Sequence, residues 1–242
     1  MTEEYNQDVE IITNVEVFYL YALLVTYKDG YRCVFDISDS VSKFIIDQPF
    51  RDDPLFIYDF VVDPEGYKIE WNIDYASDNI RECSVPVDDI LQYIREQSIY
   101  RMNKIAREKS DPFAKEKERN RTKTHKETPF EADLLAKRLK KSILKIKALA
   151  PHVLRLTYKD GYKCIFDLAQ YMSEHQELQR SPDISSDLSL DSCGTNLIYG
   201  NFEINAEEIR EFSIPMNDII QWIGEETRRI REEIQNKYKQ RN

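Results

Sequence analysis

Apolar and polar positions alternate in step around two nearly identical stretches of the chain. Residues 26–38 read TYKDGYRCVFDIS and residues 157–169 read TYKDGYKCIFDLA, matching at nine of thirteen positions at an offset of 131. If Lys28-Asp29-Gly30 is a three-residue loop closed by a left-handed Gly30, Tyr27 faces Tyr31, Val25 faces Cys33 and Leu23 faces Phe35. All six then lie on one side of a sheet. Tyr158, Tyr162, Leu156, Cys164, Leu154 and Phe166 do the same about Lys159-Asp160-Gly161. A two-residue loop would mix Arg32 and Asp36 into the apolar face, and a one-residue slip exchanges the faces. A preceding strand is predicted through Val15 and Val17, and through Leu144, Ile146 and Ala148. Asp36 and Asp167 fall where a strand gives way to a short helix, positions suited to N-capping. Further on, Phe60-Val61-Val62 and Tyr67-Lys68-Ile69-Glu70-Trp71 flank a turn at Pro64-Glu65-Gly66. The counterpart strand is Asn196-Leu197-Ile198-Tyr199, after Ser192-Cys193-Gly194.

Each pattern runs into a helix. Residues 81–94, RECSVPVDDILQYI, match residues 210–223, REFSIPMNDIIQWI, at eight of fourteen positions at an offset of 129. Pro86 and Pro215 suit the first turn of a long helix, where a missing N–H costs nothing. Asp88, Asp89 and Asp218 follow, near the positive end of the helix dipole. Ile220, Ile223, Thr227, Ile230 and Ile234 form a short heptad stripe, a candidate for helix pairing. Leu91, Ile94, Ser98, Met102 and Ile105 give a weaker one. The start of each stripe is expected to pack on its own sheet. The remainder is available to a second helix, of the same chain or another.

Two matched blocks in the same order, with only two residues lost between them, predict two tandem domains of one fold. The expected class is α+β: two copies of a small curled antiparallel sheet with a short helix, each followed by a long helix. A charged helical connector joins them. The predicted divisions are residues 1–94, the first repeat; 95–141, the connector; and 142–242, the second repeat with its C-terminal helix. The connector breaks at Asp111-Pro112 and Thr128-Pro129, and Thr128-Pro129-Phe130-Glu131 reads as the capping box of a further helix.

The order of these elements resembles a small bacterial family, the domain of unknown function numbered 2442. Tyr27-Lys28-Asp29-Gly30 with Phe35-Asp36, and Tyr158-Lys159-Asp160-Gly161 with Phe166-Asp167, carry the likeness. Ile69-Glu70-Trp71 and Ile198-Tyr199-Gly200 fit its later element, and most of residues 11–90 and 143–219 is covered. Members usually hold one copy, sometimes with a DNA-binding segment, and are often encoded beside a small partner proposed to be a toxin. The resemblance implies an interaction or antitoxin-like role and no enzyme activity. This chain departs from the pattern in its duplication, its long charged helices, and Asn72 where a Gly is expected.

Charge divides the chain unevenly. Residues 1–94 carry 6 basic and 20 acidic groups, the connector 15 and 8, and residues 142–242 carry 13 and 16. Such separation bears on partners and association rates rather than on fold. With 41% apolar and 12% aromatic residues the chain is not of the disordered class. Its longest uncharged apolar stretch, Val17 to Val25, is far below the ~20 residues of a membrane span. The acidic start at Glu3 and Glu4 is unlike a secretory signal. A soluble, cytoplasmic protein is expected.

Candidate chemistry is sparse. His125, His152 and His175 stand apart from one another and from every Cys, so no metal-ligand spacing arises. Cys33 and Cys164 sit on the apolar hairpin face and read as small buried hydrophobes. Cys83 is matched by Phe212, and no C-x-x-C occurs. Asp29 with Asp36, and Asp160 with Asp167, are the tempting carboxylate pairs; with Gly30 and Gly161 they are explained by turn and cap chemistry. No phosphate-binding glycine loop or nucleophile elbow is present. No catalytic residue, metal or cofactor is therefore predicted. The expected function is non-enzymatic: an acidic surface holding a protein partner, basic or toxin-like. One alternative is a nucleic-acid-binding regulator that contacts phosphates through Lys137, Arg138, Lys140 and Lys141. Another is an assembly protein that dimerises through Ile220, Ile223, Ile230 and Ile234.

Overall fold

The Lys28-Asp29-Gly30 loop closes where the alternation put it. Gly30 N–H donates to the Tyr27 carbonyl at 3.0 Å with φ at +86°, and Tyr27 N–H donates to the Tyr31 carbonyl at 2.8 Å. Strands β2 (Ala22–Tyr27) and β3 (Arg32–Asp36) pair with Leu23 opposite Phe35 and Val25 opposite Cys33. The computed structural model describes residues 10–38, 60–71, 73–110, 141–174, 188–200 and 202–241.

In the first half β1 (Ile12–Tyr19) and β7 (Val85–Pro86) complete a four-stranded antiparallel sheet in the order β1-β2-β3-β7. Strands β4 (Val61–Val62), β5 (Lys68–Trp71) and β6 (Ile73–Ala76) form a three-stranded meander, followed by helix α1 (Ser77–Glu82) and the long helix α2 (Val87–Ser110). The second half runs β8 (Ile143–Ala150), β9 (Val153–Tyr158), β10 (Lys163–Asp167), then helix α3 (Leu168–Glu174). Strands β11 (Leu188–Leu190), β12 (Asn196–Tyr199) and β13 (Phe202–Asn205) precede α4 (Ala206–Phe212), β14 (Ile214–Pro215) and α5 (Met216–Arg241). Its sheets have the orders β14-β10-β9-β8 and β11-β12-β13. The protein is thus a mixed α/β chain of several small antiparallel sheets. Among the described residues no helix is long and apolar enough to cross a membrane.

The hairpin's apolar face forms the core in each half. Leu23, Val25, Tyr27, Cys33 and Phe35 join Ile69 of the small sheet and Ile80 of α1 in one cluster. Leu154, Leu156, Tyr158, Cys164 and Phe166 join Leu197, Ile204 and Ile209 in the other. Tyr27 and Tyr158 are buried to the hydroxyl, so each needs a partner; they donate to the carbonyls of Ser77 and Ala206 at 2.8 and 2.9 Å. The opposite sheet face is also buried at Leu24, Val34, Val85, Ile165 and Ile214.

Contacts divide the chain into two compact units: Met1–Ile90 with Asn217–Asn242, and Leu91–Met216. The first unit joins the first set of sheets to the C-terminal helix. Tyr19 Oη donates to Asn217 Oδ1 at 3.1 Å, and Arg231 Nη2 donates to the Asp36 carbonyl at 3.1 Å. The second unit joins the second set of sheets to most of α2. Arg101 Nη1 donates to the Ser213 carbonyl at 2.9 Å, and the Lys109 ammonium lies 5.4 Å from the centre of the Phe212 ring. The long helices are therefore exchanged, contrary to the expectation that each packs on its own sheet. An apolar stripe says that a face is buried and says nothing of which sheet receives it.

Two further expectations are corrected. Leu144 is 62% exposed, because a register shift between Ile143 and Lys145 ejects it and leaves Ile143 inside. Pro86 and Pro215 are not helical; they pair opposite Cys33 and Cys164 in β7 and β14, one residue before each helix. Both are edge strands, where a residue without an N–H breaks no ladder.

Candidate functional site

The matched hairpins each carry an arginine brace that the pattern of apolar residues did not disclose. Asp29 Oδ1 accepts the Tyr31 N–H at 2.9 Å, and its other oxygen accepts Arg81 Nη2 at 2.7 Å. The Arg81 guanidinium lies 5.0 Å from the Tyr27 ring centre and 4.3 Å from that of Tyr31. In the second half Asp160 accepts Tyr162 N–H at 3.0 Å and Arg210 Nη1 at 2.6 Å, with Arg210 5.1 and 4.0 Å from the Tyr158 and Tyr162 rings. Both arginines stand at the head of the second matched block, the one sequence signal that could have found them. Asp167 Oδ1 accepts Gln170 N–H at 3.1 Å at the start of α3, the capping role expected of it. Asp36 Oδ1 accepts Ser38 N–H at 2.9 Å, and the helix it was expected to cap lies outside the described residues.

The Arg81 hydrogen bond holds the Asp29 carboxyl below the usual carboxylate range. Burial would raise Asp160, but its bonds from Arg210 and the Tyr162 N–H outweigh burial and lower it too. A carboxylate depressed in the folded state contributes stability above its unfolded value, ~3.9, and that stability is lost as pH falls through the folded value. Asp160→Asn is therefore expected to cost about 1 kcal/mol near neutrality. The cost should disappear at pH low enough to protonate Asp160 in the parent. Urea midpoints of both proteins between pH 6 and pH 2 check this; a difference constant with pH would refute it.

The thiols on the core face are unreactive. Burial pushes Cys33 and Cys164 up to about 11, so their thiolate fraction near neutrality is negligible. Cys83 is half-buried and also pushed up by burial, while Cys193 is exposed. His152 occupies the β8–β9 turn with φ at +65° and its carbonyl accepts Leu168 N–H at 2.8 Å; its ring Nδ1 is buried without a hydrogen-bond partner. Among the described residues no group of three or more His, Cys, Asp or Glu is placed to hold a metal ion. His125 and His175 lie outside the described residues, as do Lys137, Arg138 and Lys140. Lys141 is described and pairs with Glu207 at 3.6 Å.

Of the helix-pairing candidates, Ile223 is buried, while Ile220, Ile230 and Ile234 are half-buried. Ile219, absent from the predicted stripe, is fully buried. Ile230 and Ile234 border a groove with Glu82, Lys237 and the exposed Tyr238, all within the first unit.

A second concave feature of that unit lies where α5 meets the β1–β2 turn. A cavity of about 420 Å³ is lined by Leu20, Tyr21, Asp36 and Ser38 on one side and Gly224, Thr227, Arg228 and Arg231 on the other. Gly224 opens it from the middle of a helix, where Gly costs about 1 kcal/mol relative to Ala. A methyl group there would lie 3.6 Å from Asp36 Oδ2, so alanine fits and the glycine is not required by crowding. Thr227 is 2% exposed, and its hydroxyl has no hydrogen-bond partner. Leu20 takes up the left-handed backbone at φ +40° at the rim, an uncommon state for a branched residue.

Set against known proteins, the chain matches no family model, no curated protein and no solved structure.

Proposed function

We propose that this chain is a non-enzymatic interaction module, two copies of one α+β fold in a single polypeptide, whose acidic unit takes a basic protein partner. The observation that carries this reading is the distribution of charge between the units. The residues of the first unit comprise 12 basic and 25 acidic groups, a net of −13, whereas those of the second comprise 22 and 19, a net of +3. A field of one sign accelerates encounter with an oppositely charged surface and disfavours like-charged competitors. The side chains with catalytic potential support the same reading. Asp29 and Asp160 are spent on turns and braces, and Cys33 and Cys164 are buried thiols. An antitoxin-like or regulatory role is the form of this reading that the family resemblance favours.

One observation favours a second reading. Lys145, Lys147, Arg155 and Lys163 share one face of β8–β9–β10, since Lys145 and Lys163 both stand opposite Thr157 and Lys147 stands opposite Arg155. Burial pushes Lys147 and Arg155 down, and Arg155 lowers Lys147 further. A cationic strip with this two-residue spacing along a strand suits phosphate contacts.

Affinity purification of the full chain from native cells at low and high salt separates the two. A basic protein retained at low salt, lost at high salt and indifferent to nuclease is the expected result. Recovery of no specific protein at either salt overturns the proposal, and a partner released by nuclease transfers the function to the cationic strip.

A further inference from the structure

We propose that the cavity between the β1–β2 turn and α5 is a binding site for a small zwitterion of the amino-acid class with an apolar side chain. The starting point is a comparison of the two long helices at matched positions. Gln221 and Glu225 form a hydrogen-bonded pair at 3.0 Å, and Gln92 and Glu96 form the same pair at the same distance, so this feature belongs to both helices. Around it the helices diverge. Gly224 stands where the earlier helix has Arg95, and Arg228 and Arg231 stand where it has Ile99 and Met102. A long side chain is replaced by Gly at one position, and guanidiniums stand one and two turns further on, all on the side of α5 that lines the cavity.

The lining supplies a complement for each part of such a ligand. Arg228 and Arg231, three residues apart on one helix, present planar donor arrays that suit a carboxylate. Arg231 is held in place by its bond to the Asp36 carbonyl. The Asp36 carboxylate uses one oxygen for Ser38 N–H and turns the other toward the bare backbone of Gly224, where an ammonium group would find an acceptor. Leu20, Tyr21 and Ile220 provide apolar wall for the side chain. The buried, unpartnered Thr227 hydroxyl is the independent sign of a missing occupant, because a buried polar group is normally satisfied. Charge decides the class. The lining carries two arginines, Asp36 and Glu225, so it is balanced before the ligand enters, and a ligand with one charge of each sign leaves it so. The volume, about 420 Å³, is within the range of small-molecule sites.

Isothermal titration of the full chain with L-leucine and L-phenylalanine tests this. A dissociation constant at or below about 1 mM is expected for at least one of them. 4-Methylpentanoate, which lacks the ammonium group, and 3-methylbutylamine, which lacks the carboxylate, should each bind at least about 10-fold more weakly than leucine. Gly224→Arg restores the residue of the earlier helix and should abolish binding. Should that variant fail to fold, Arg228→Gln, at an exposed position, should weaken binding by about 10-fold or more. Absence of binding by both amino acids, equal binding of either truncated analogue, or undiminished binding to a folded Gly224→Arg or to Arg228→Gln would each overturn the proposal. Since the site needs no protein partner, its failure leaves the interaction reading untouched, and the reverse holds.

Discussion

A chain whose backbone is cut between residues 111 and 140 is expected to stay in one piece. The exchange of the long helices dictates this result. The N-terminal fragment keeps the first set of sheets but contributes residues 91–110 to the second unit, and the C-terminal fragment returns Asn217–Asn242 to the first. Burial of Ile219 and Ile223 contributes about 2–3 kcal/mol each, with about 1 kcal/mol from each hydrogen bond at Asn217 and Arg231. The reciprocal attachment through Ile94 and Arg101 is made by the same pair of fragments, so the two act together as a bivalent link. A protease site introduced into that segment and cleaved to completion should give a product that co-elutes with the uncut protein at micromolar concentration and separates only in denaturant. Fragments that part on a sizing column under native conditions would contradict the exchange. Helices packed on their own sheets would give that outcome.

Gly194→Ala should be the most damaging of the glycine-to-alanine changes. Gly194 has φ at +73°, and a Cβ built on it would lie 2.1 Å from the Ile143 carbonyl oxygen. The same pair of residues is joined by the bond from Ile143 N–H to the Gly194 carbonyl at 2.7 Å, so neither backbone can withdraw without losing it. Gly161 is the matched control: its φ is +83°, but nothing lies within 4 Å of an added Cβ. Alanine at Gly161 should cost only the left-handed backbone penalty, about 1–2 kcal/mol. Alanine at Gly194 adds displacement of a core strand and should cost about 3–5 kcal/mol, a large share of the ~5–15 kcal/mol that holds a domain together. Equal denaturation midpoints for the two variants would refute the crowding argument. Gly66, whose added Cβ would lie 2.6 Å from the Ile12 carbonyl oxygen, should follow Gly194.

Local geometry was legible in the sequence wherever a periodic pattern and a special backbone residue agreed. The hairpin register follows from alternation plus Gly30 and Gly161, because a slipped pairing would bury Arg32 or Asp36. The cap at Asp167 follows from the chemistry of strand ends. What escaped was decided by tertiary contact. Leu144 continues an apolar alternation that a bulge interrupts, and nothing in its neighbours marks the extra residue. Pro86 suits a helix start as well as an edge strand, and the choice falls to Cys33 across the ladder. The receiving sheet for each long helix is invisible to periodicity, since both hairpins offer similar apolar faces. The cavity was hidden for a related reason. Gly224 and Arg228 read as ordinary surface positions until α5 is laid against the β1–β2 turn, and the arginine braces were hidden inside a matched block that apolar spacing does not weigh.

Translation runs in one direction, and the threading of this polypeptide gives that direction a result. Residues 91–216 are contiguous, so the second unit has all its parts once Met216 has left the ribosome. The first unit begins before it yet must wait for Asn217–Asn242, which are made after the second unit's final residue. A segment synthesised earlier thus matures later, and a chain halted at Met216 would hold a finished second unit tethered to an unfinished first.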